Sequence, residues 1–217
     1  LVWWAFPNLL PTHRSAPANS GWLSLLLNPL FQKYALSMAC SLGGLLIFVF
    51  GAPAVITLTM NGSLSDFVVM QLIGITFYVV SANLAGMLAQ RFGSERMIVI
   101  GSLLGALGFS LLLGYAWSGG NSPSALWWLF VISNFGLGLR GPPGFYQAVV
   151  AAGDNDARGA ALLLLYVLLT AAIGTAILAP FIAQGLFALS VAAATVSWCS
   201  VALLLAIKQQ NPDPVVD

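Results

Sequence analysis

The groups able to do chemistry are concentrated in one stretch of the 217-residue sequence, SNFGLGLRGPPGFYQ, Ser133–Gln147. Arg140 sits near the middle of a long apolar run. A guanidinium at the centre of a bilayer costs about 2.5–3.5 kcal/mol on insertion scales, so it has to face a cavity or an anionic partner. Helical spacing puts Ser133, Leu137, Arg140, Gly144 and Gln147 on one face, with Asn134 and Tyr146 beside it. Pro142 and Pro143 lack the N–H groups that would bond the carbonyls of Gly138 and Leu139. That predicts a helix broken or kinked at mid-membrane, with free carbonyls for water or a ligand. Interrupted helices at that depth occur where they line a cavity. The competing reading is a kinked helix whose arginine pairs with a carboxylate outside this chain.

Other polar groups recur at helical spacing. Gln71, Gly74 and Tyr78 share a face, as do Tyr166, Thr170 and Gly174. Either set lines the same cavity or hydrogen-bonds between helices. Phe50, Phe77, Phe145 and Tyr146 either form an aromatic wall for a drug-like molecule or are ordinary core. The carboxylates Asp66, Glu95, Asp154, Asp156, Asp213 and Asp217 all fall in loops, at helix ends or in the tail, so a buried proton relay would have to lie outside this chain. Cys40 and Cys199 lie in apolar runs and read as small hydrophobes, with no metal or disulfide spacing. The only histidine is His13, and no HExxH, Ser/His or Cys/His arrangement is present. Enzyme chemistry, a metal and a cofactor are therefore not expected.

The elements that carry these residues follow from composition. Hydrophobic residues make up 59% of the chain and charged residues 6%, against about 25% charged in a soluble domain. Lipid must cover much of the surface, and no basic patch suits nucleic acid. Six long apolar stretches run roughly Tyr34–Leu58, Phe67–Gln90, Met97–Ala116, Ala125–Ala152, Gly159–Leu178 and Leu186–Ile207. They define an all-α six-helix transmembrane bundle over 34–207. Residues 1–6, aromatic-rich, read as the end of a preceding transmembrane helix, 7–33 as a polar linker and 208–217 as a tail. A short surface helix is expected around Trp22–Leu30. Ser65-Asp66, Ser94-Glu95 and Ser122-Pro123 read as helix starts, and Gly93 and Gly119-Gly120 as stops. Pro180, Gln184 and Gly185 make the last turn, and Pro53 adds a kink to the first span. Gly101 and Gly105 form a GxxxG, either a moving contact or ordinary close packing.

Charge tests this count. If the spans alternate, Arg14, Lys33, Arg91, Arg96, Arg158 and Lys208 all fall on one side. The loops Thr59–Asp66, Trp117–Ser124 and Ala179–Gly185 hold no Lys or Arg. The positive-inside rule makes the basic side, and both termini, cytoplasmic, while Trp117, Trp127 and Trp128 sit at the outer boundary.

Three short stretches resemble one family. GMLAQRFGSERM, Gly86–Met97, resembles the loop motif G-x-L-A-D-R-x-G-R-R of the major facilitator superfamily through Gly86, Leu88, Ala89, Arg91, Gly93 and Arg96. Gln90 replaces its Asp, and Ser94-Glu95 interrupts its basic run. FPNLLP, Phe6–Pro11, resembles the L-P-E-T-L that ends the sixth helix. FVFGAPAVITLTMNGSLSDF, Phe48–Phe67, resembles the seventh-to-eighth helix junction of Bcr/CflA-type drug/proton antiporters. The resemblance implies the C-terminal half of a twelve-span transporter of the bacterial inner membrane, partnered by an N-terminal six-span half. It implies proton-coupled efflux of drug-like small molecules by alternating access, with Gly86, Arg91, Gly93 and Arg96 as a gating loop. Import of a small metabolite and a non-transporting scaffold are the alternatives.

Overall fold

The computed structural model describes residues 21–206, and every regular element among them is helical. A short α1 (Trp22–Leu26) precedes six long helices: α2 (Pro29–Thr59), α3 (Leu64–Phe92), α4 (Ser94–Trp117), α5 (Pro123–Ala152), α6 (Asp156–Leu178) and α7 (Leu186–Ala206). Five helical stretches are long and apolar enough to cross a membrane, as in a multi-pass membrane protein. One of them, Pro123–Gln184, is 62 residues long and contains both α5 and α6. At 1.5 Å per residue it would measure about 93 Å, roughly three hydrocarbon cores. It reverses at the 3-10 turn Gly153–Asn155, where Gly153 takes φ +60°.

Contacts along the helices give their directions. Against α2, α6 advances in step: Gly43 meets Thr170, Ile47 meets Gly174 and Gly51 meets Leu178. Helix α5 runs the opposite way, since Phe130 stacks on Phe48, Arg140 reaches Ser37 and Ala151 accepts from Asn28. Helix α7 also opposes α2, pairing Ser197 with Gly44 and Leu189 with Gly51. Helix α3 runs with α5 through Gly74–Asn134 and Ser81–Gly138, and α4 opposes α5 through Gly101–Gly136 and Gly108–Ser133. Successive helices therefore alternate in direction.

Local chemistry shifts several boundaries from those expected. Helix α2 begins at Pro29, not Tyr34, because Asn28 Oδ1 accepts the N–H groups of Leu30 and Phe31 at 3.0 and 3.1 Å and Pro29 takes the first position. Lys33 is therefore inside the helix. Helix α3 is capped by Ser63 rather than Ser65, with the Ser63 N–H donating to Asp66 Oδ2 at 2.8 Å. Gly93, at φ +92°, both ends α3 and caps α4, so Ser94 is the first residue of α4. Helix α5 stays α-helical through Pro142 and Pro143, so of the two expected forms, broken or kinked, the broken one is ruled out. Each proline removes only its own N–H, and the ladder closes again beyond them.

In lipid, burial of apolar groups does not drive helices together, so packing and polar contacts must. Helices α2 and α5 occupy the centre, and glycines bring neighbours against both. A Cβ on Gly101 would lie 2.5 Å from the Gly136 carbonyl, and one on Gly136 would lie 2.6 Å from the Gly105 nitrogen. The GxxxG of α4 thus packs its backbone onto α5. On α5, Gly138 faces α3, where a Cβ would meet Ser81 Oγ at 2.0 Å and the Tyr78 carbonyl at 2.4 Å. On α2, Gly43 admits α6 and Gly44 admits α7. Each central helix is flanked by the last two helices of one three-helix set. Helices α3 and α4 pack on α5, α6 and α7 pack on α2, while α4 meets α7 and α2 meets α5. Exchanging α2 with α5, α3 with α6 and α4 with α7 leaves this set of neighbours unchanged.

Gly138→Val places side-chain atoms into backbone and is expected to abolish monodisperse, helical protein in detergent. Gly114→Ala, with nothing within 4 Å of the new methyl, should elute and melt like the parent. Size exclusion and circular dichroism on both variants check this.

Candidate functional site: a buried arginine among serines

Arg140 has no exposed surface. Its side chain leaves α5 and runs inward, between α2 and α7. Nη1 donates to the Ser37 carbonyl at 2.9 Å, to Ser200 Oγ at 2.8 Å and to Ser41 Oγ. The three serines are joined among themselves, Ser37 Oγ to Ser200 Oγ at 3.0 Å and Ser41 Oγ to Ser200 Oγ at 2.8 Å. One guanidinium nitrogen thus ties three helices. Nε and Nη2 have no hydrogen-bond partner, and neither has Ser197 Oγ. All sit deep in the bundle, where an unmet donor on a charged group is costly. Gly101 makes room for the arginine, since a Cβ there would lie 2.7 Å from Arg140 Cβ.

Beside Arg140 is a cavity of about 10 Å³, walled by Ser41, Leu45, Gly101, Gly105, Ala106, Phe109, Ser133, Leu137, Arg140 and Ser197. That volume matches one water-sized particle. A larger groove of about 380 Å³ opens between α2, α6 and α7, lined by Ile47, Gly174, Phe181, Phe187 and neighbours. Its walls are almost wholly apolar, and of the polar residues expected to line a substrate cavity none lines it.

The face Ser133–Leu137–Arg140–Gly144 exists, but it points into the bundle. The partners Arg140 has lie within its own six helices. Asn134 is buried against Gly74 and donates to the Phe130 carbonyl at 3.0 Å. Tyr78 lies across from the proline pair, with its hydroxyl 3.7 Å from where a Gly141 methyl would be. Gln71 and Gln147 are half-buried. Tyr166 accepts a hydrogen bond from Gln32 at 3.2 Å, and Thr170 donates to the Tyr166 carbonyl at 2.8 Å while pressing its methyl on Gly43. Pro53 is half-buried and Pro142 exposed. Phe50, Phe77, Phe145 and Tyr146 are all exposed on the outside of the bundle. The polar residues proposed for one cavity are therefore not brought together: Arg140 reaches α2 and α7, Asn134 packs on α3, and Tyr146 is exposed.

The loop expected to gate lies at the end of the bundle that carries Lys33, Arg91, Arg96 and Arg158. There Arg91 lies over the Phe92 ring and Gly86 faces open space. Lys33, 2% exposed, meets Glu95 at 2.6 Å, and Asn28 donates to the Ala151 carbonyl at 2.8 Å. At the other end Asn121 donates to the Thr59 carbonyl, and Gly62 and Gly185 pack on Pro123 and Thr59. The three loops without Lys or Arg are thus gathered at one end and the described basic loop residues at the other. Sequence inspection missed Ser37, Ser41 and Ser200, and it treated Glu95 as an interruption. Serine spacing at 37 and 41, one helical turn, was the only local signal. No family model, curated protein or solved structure matches the chain.

Lys33→Met strands the Glu95 carboxylate. Because Glu95 is 20% exposed, the loss should fall somewhat below the about 3 kcal/mol typical of a fully buried pair. The swap Lys33→Glu with Glu95→Lys should recover most of it, as read by thermal unfolding in detergent.

Proposed function

We propose that this chain is a six-span half of a secondary transporter that works by alternating access, in the manner of the major facilitator superfamily. The observation that carries the reading is the matched neighbour pattern of α2–α4 and α5–α7. An odd number of alternating spans per set means that the second set is inverted relative to the first. Inverted repeats around central helices are a building principle of secondary transporters. The fragments around Gly86–Met97, Phe6–Pro11 and Phe48–Phe67 point to the drug/proton antiporters of that superfamily. The substrate class is accordingly a drug-like amphiphile, expelled across the inner membrane with both termini in the cytoplasm.

The solute path would lie between this bundle and a second, N-terminal one. The exposed aromatics Phe50, Phe77, Phe145 and Tyr146 and the exposed Pro142 are the groups this half offers to it. Arg140 acts behind that surface. By holding α5 to α2 and α7 it makes the two central helices move as one body, and Gly86, Arg91, Gly93 and Arg96 close the cytoplasmic end.

With Cys40 and Cys199 replaced, single cysteines at Ser94 and Asn155 should react with impermeant thiol reagent only from the cytoplasmic side, and those at Ser63 and Ser122 only from outside. Labelling of Ser94 and Ser63 from one side would remove the topology. In protein carrying both halves, Arg140→Lys should insert normally yet transport at a small fraction of the parent rate, because an ammonium lacks the planar fork. Flux in vesicles, normalised to folded protein, measures it. Parent rates in Arg140→Ala would overturn the role given to Arg140.

A further inference from the structure

We propose that the chamber beside Arg140 is a binding site for a single-atom monovalent anion, with chloride as the physiological candidate. Transport is not needed for the inference, which rests on charge, donors and volume. The charge is a fully buried guanidinium. Burying such an ion is tolerated when a counter-charge and hydrogen bonds replace water. Among the described residues no carboxylate reaches it: Glu95 is held by Lys33, Asp154 and Asp156 are exposed, and Asp66 binds Ser63 at the opposite end from the basic loops. The three contacts on Nη1 are a carbonyl and two hydroxyls, which solvate the cation without neutralising it.

The donors are already in place. Nε and Nη2 of Arg140 and the hydroxyl of Ser197 are buried and have no partner. Arg140 and Ser197 line the same cavity, where Ser41 and Ser133 already donate to Ser200 Oγ and the Gly105 carbonyl. The Ser197 hydroxyl, with no bond of its own, is the one serine donor free to turn toward an anion. The α4 wall is Gly101, Gly105, Ala106 and Phe109, the two glycines presenting only backbone. Volume decides the ligand class: about 10 Å³ admits one water-sized particle and excludes a carboxylate-bearing solute. A neutral water would satisfy the donors but leave the arginine's charge uncompensated, whereas a halide does both.

The test uses the full chain in nanodiscs of zwitterionic lipid, titrated with sodium chloride against sodium gluconate at constant ionic strength. A ligand of the folded state raises Tm with the logarithm of its concentration above Kd. Chloride should raise Tm by several degrees in this saturable manner and broaden the ³⁵Cl resonance, with gluconate doing neither. Arg140→Gln should abolish both effects. Should that variant fail to fold, Ser197→Ala decides, since its hydroxyl makes no bond whose loss would weaken the bundle. It should need about tenfold more chloride for the same shift. Equal Tm in the two salts with an unbroadened resonance, as water alone would give, overturns the proposal. So does a parent-like chloride midpoint in Ser197→Ala.

Discussion

Arg140 is wholly buried, and the helices around it are arranged to meet its guanidinium. Water would offer the guanidinium acceptors from every side. Here Ser37, Ser41 and Ser200 supply them from two helices, so α2, α5 and α7 cannot part without exposing a cation to hydrocarbon. Glycines at 101 and 136 let α4 close the remaining side at backbone distance. Where lipid is as apolar as leucine, such contacts hold helices together more than the apolar surface does.

A second tie works at the basic end. Lys33 and Glu95 join the first turns of α2 and α4, and Asn28 joins the entry of α2 to the exit of α5. Both are local consequences of where helices start. Asn28 caps α2 with its Oδ1 and spends its Nδ2 on Ala151. Glycine 93 places Glu95 in the first turn of α4, where a carboxylate also complements the helix dipole.

Much of the helical layout was legible in the sequence, because a run of about 20 apolar residues bounded by glycine, proline or serine has few other readings. Ends were harder to read. The starts at Asn28-Pro29 and Ser63 came earlier than hydropathy suggested, since caps are polar and a hydropathy run begins only after them. Arg140 announced itself by charge, and its helical face was readable from spacing. Its direction was not: a face is a property of one helix, and whether it turns inward depends on the other five. Ser37, Ser41 and Ser200 are ordinary in composition and gain meaning only when α2 and α7 cross at Arg140. The paired prolines suggested a break that the continuous hydrogen-bond ladder on either side of them prevents.

The matched sets α2–α4 and α5–α7 also bear on how charge is distributed. Two sets inverted relative to each other put equivalent loops on opposite sides of the bilayer, so a faithful copy of one set's charges would leave the chain without a preferred orientation. Geometry keeps the correspondence and charge breaks it. The entry to α2 carries Lys33 and its turn into α4 carries Arg91 and Arg96, while the corresponding entry to α5 and the turn into α7 carry no Lys or Arg. Arg158 instead marks the turn from α5 into α6, inside the second set, whose counterpart between α2 and α3 carries no Lys or Arg. Shape in this bundle is therefore nearly indifferent to up and down, and a handful of surface cations is what makes one insertion direction differ from the other.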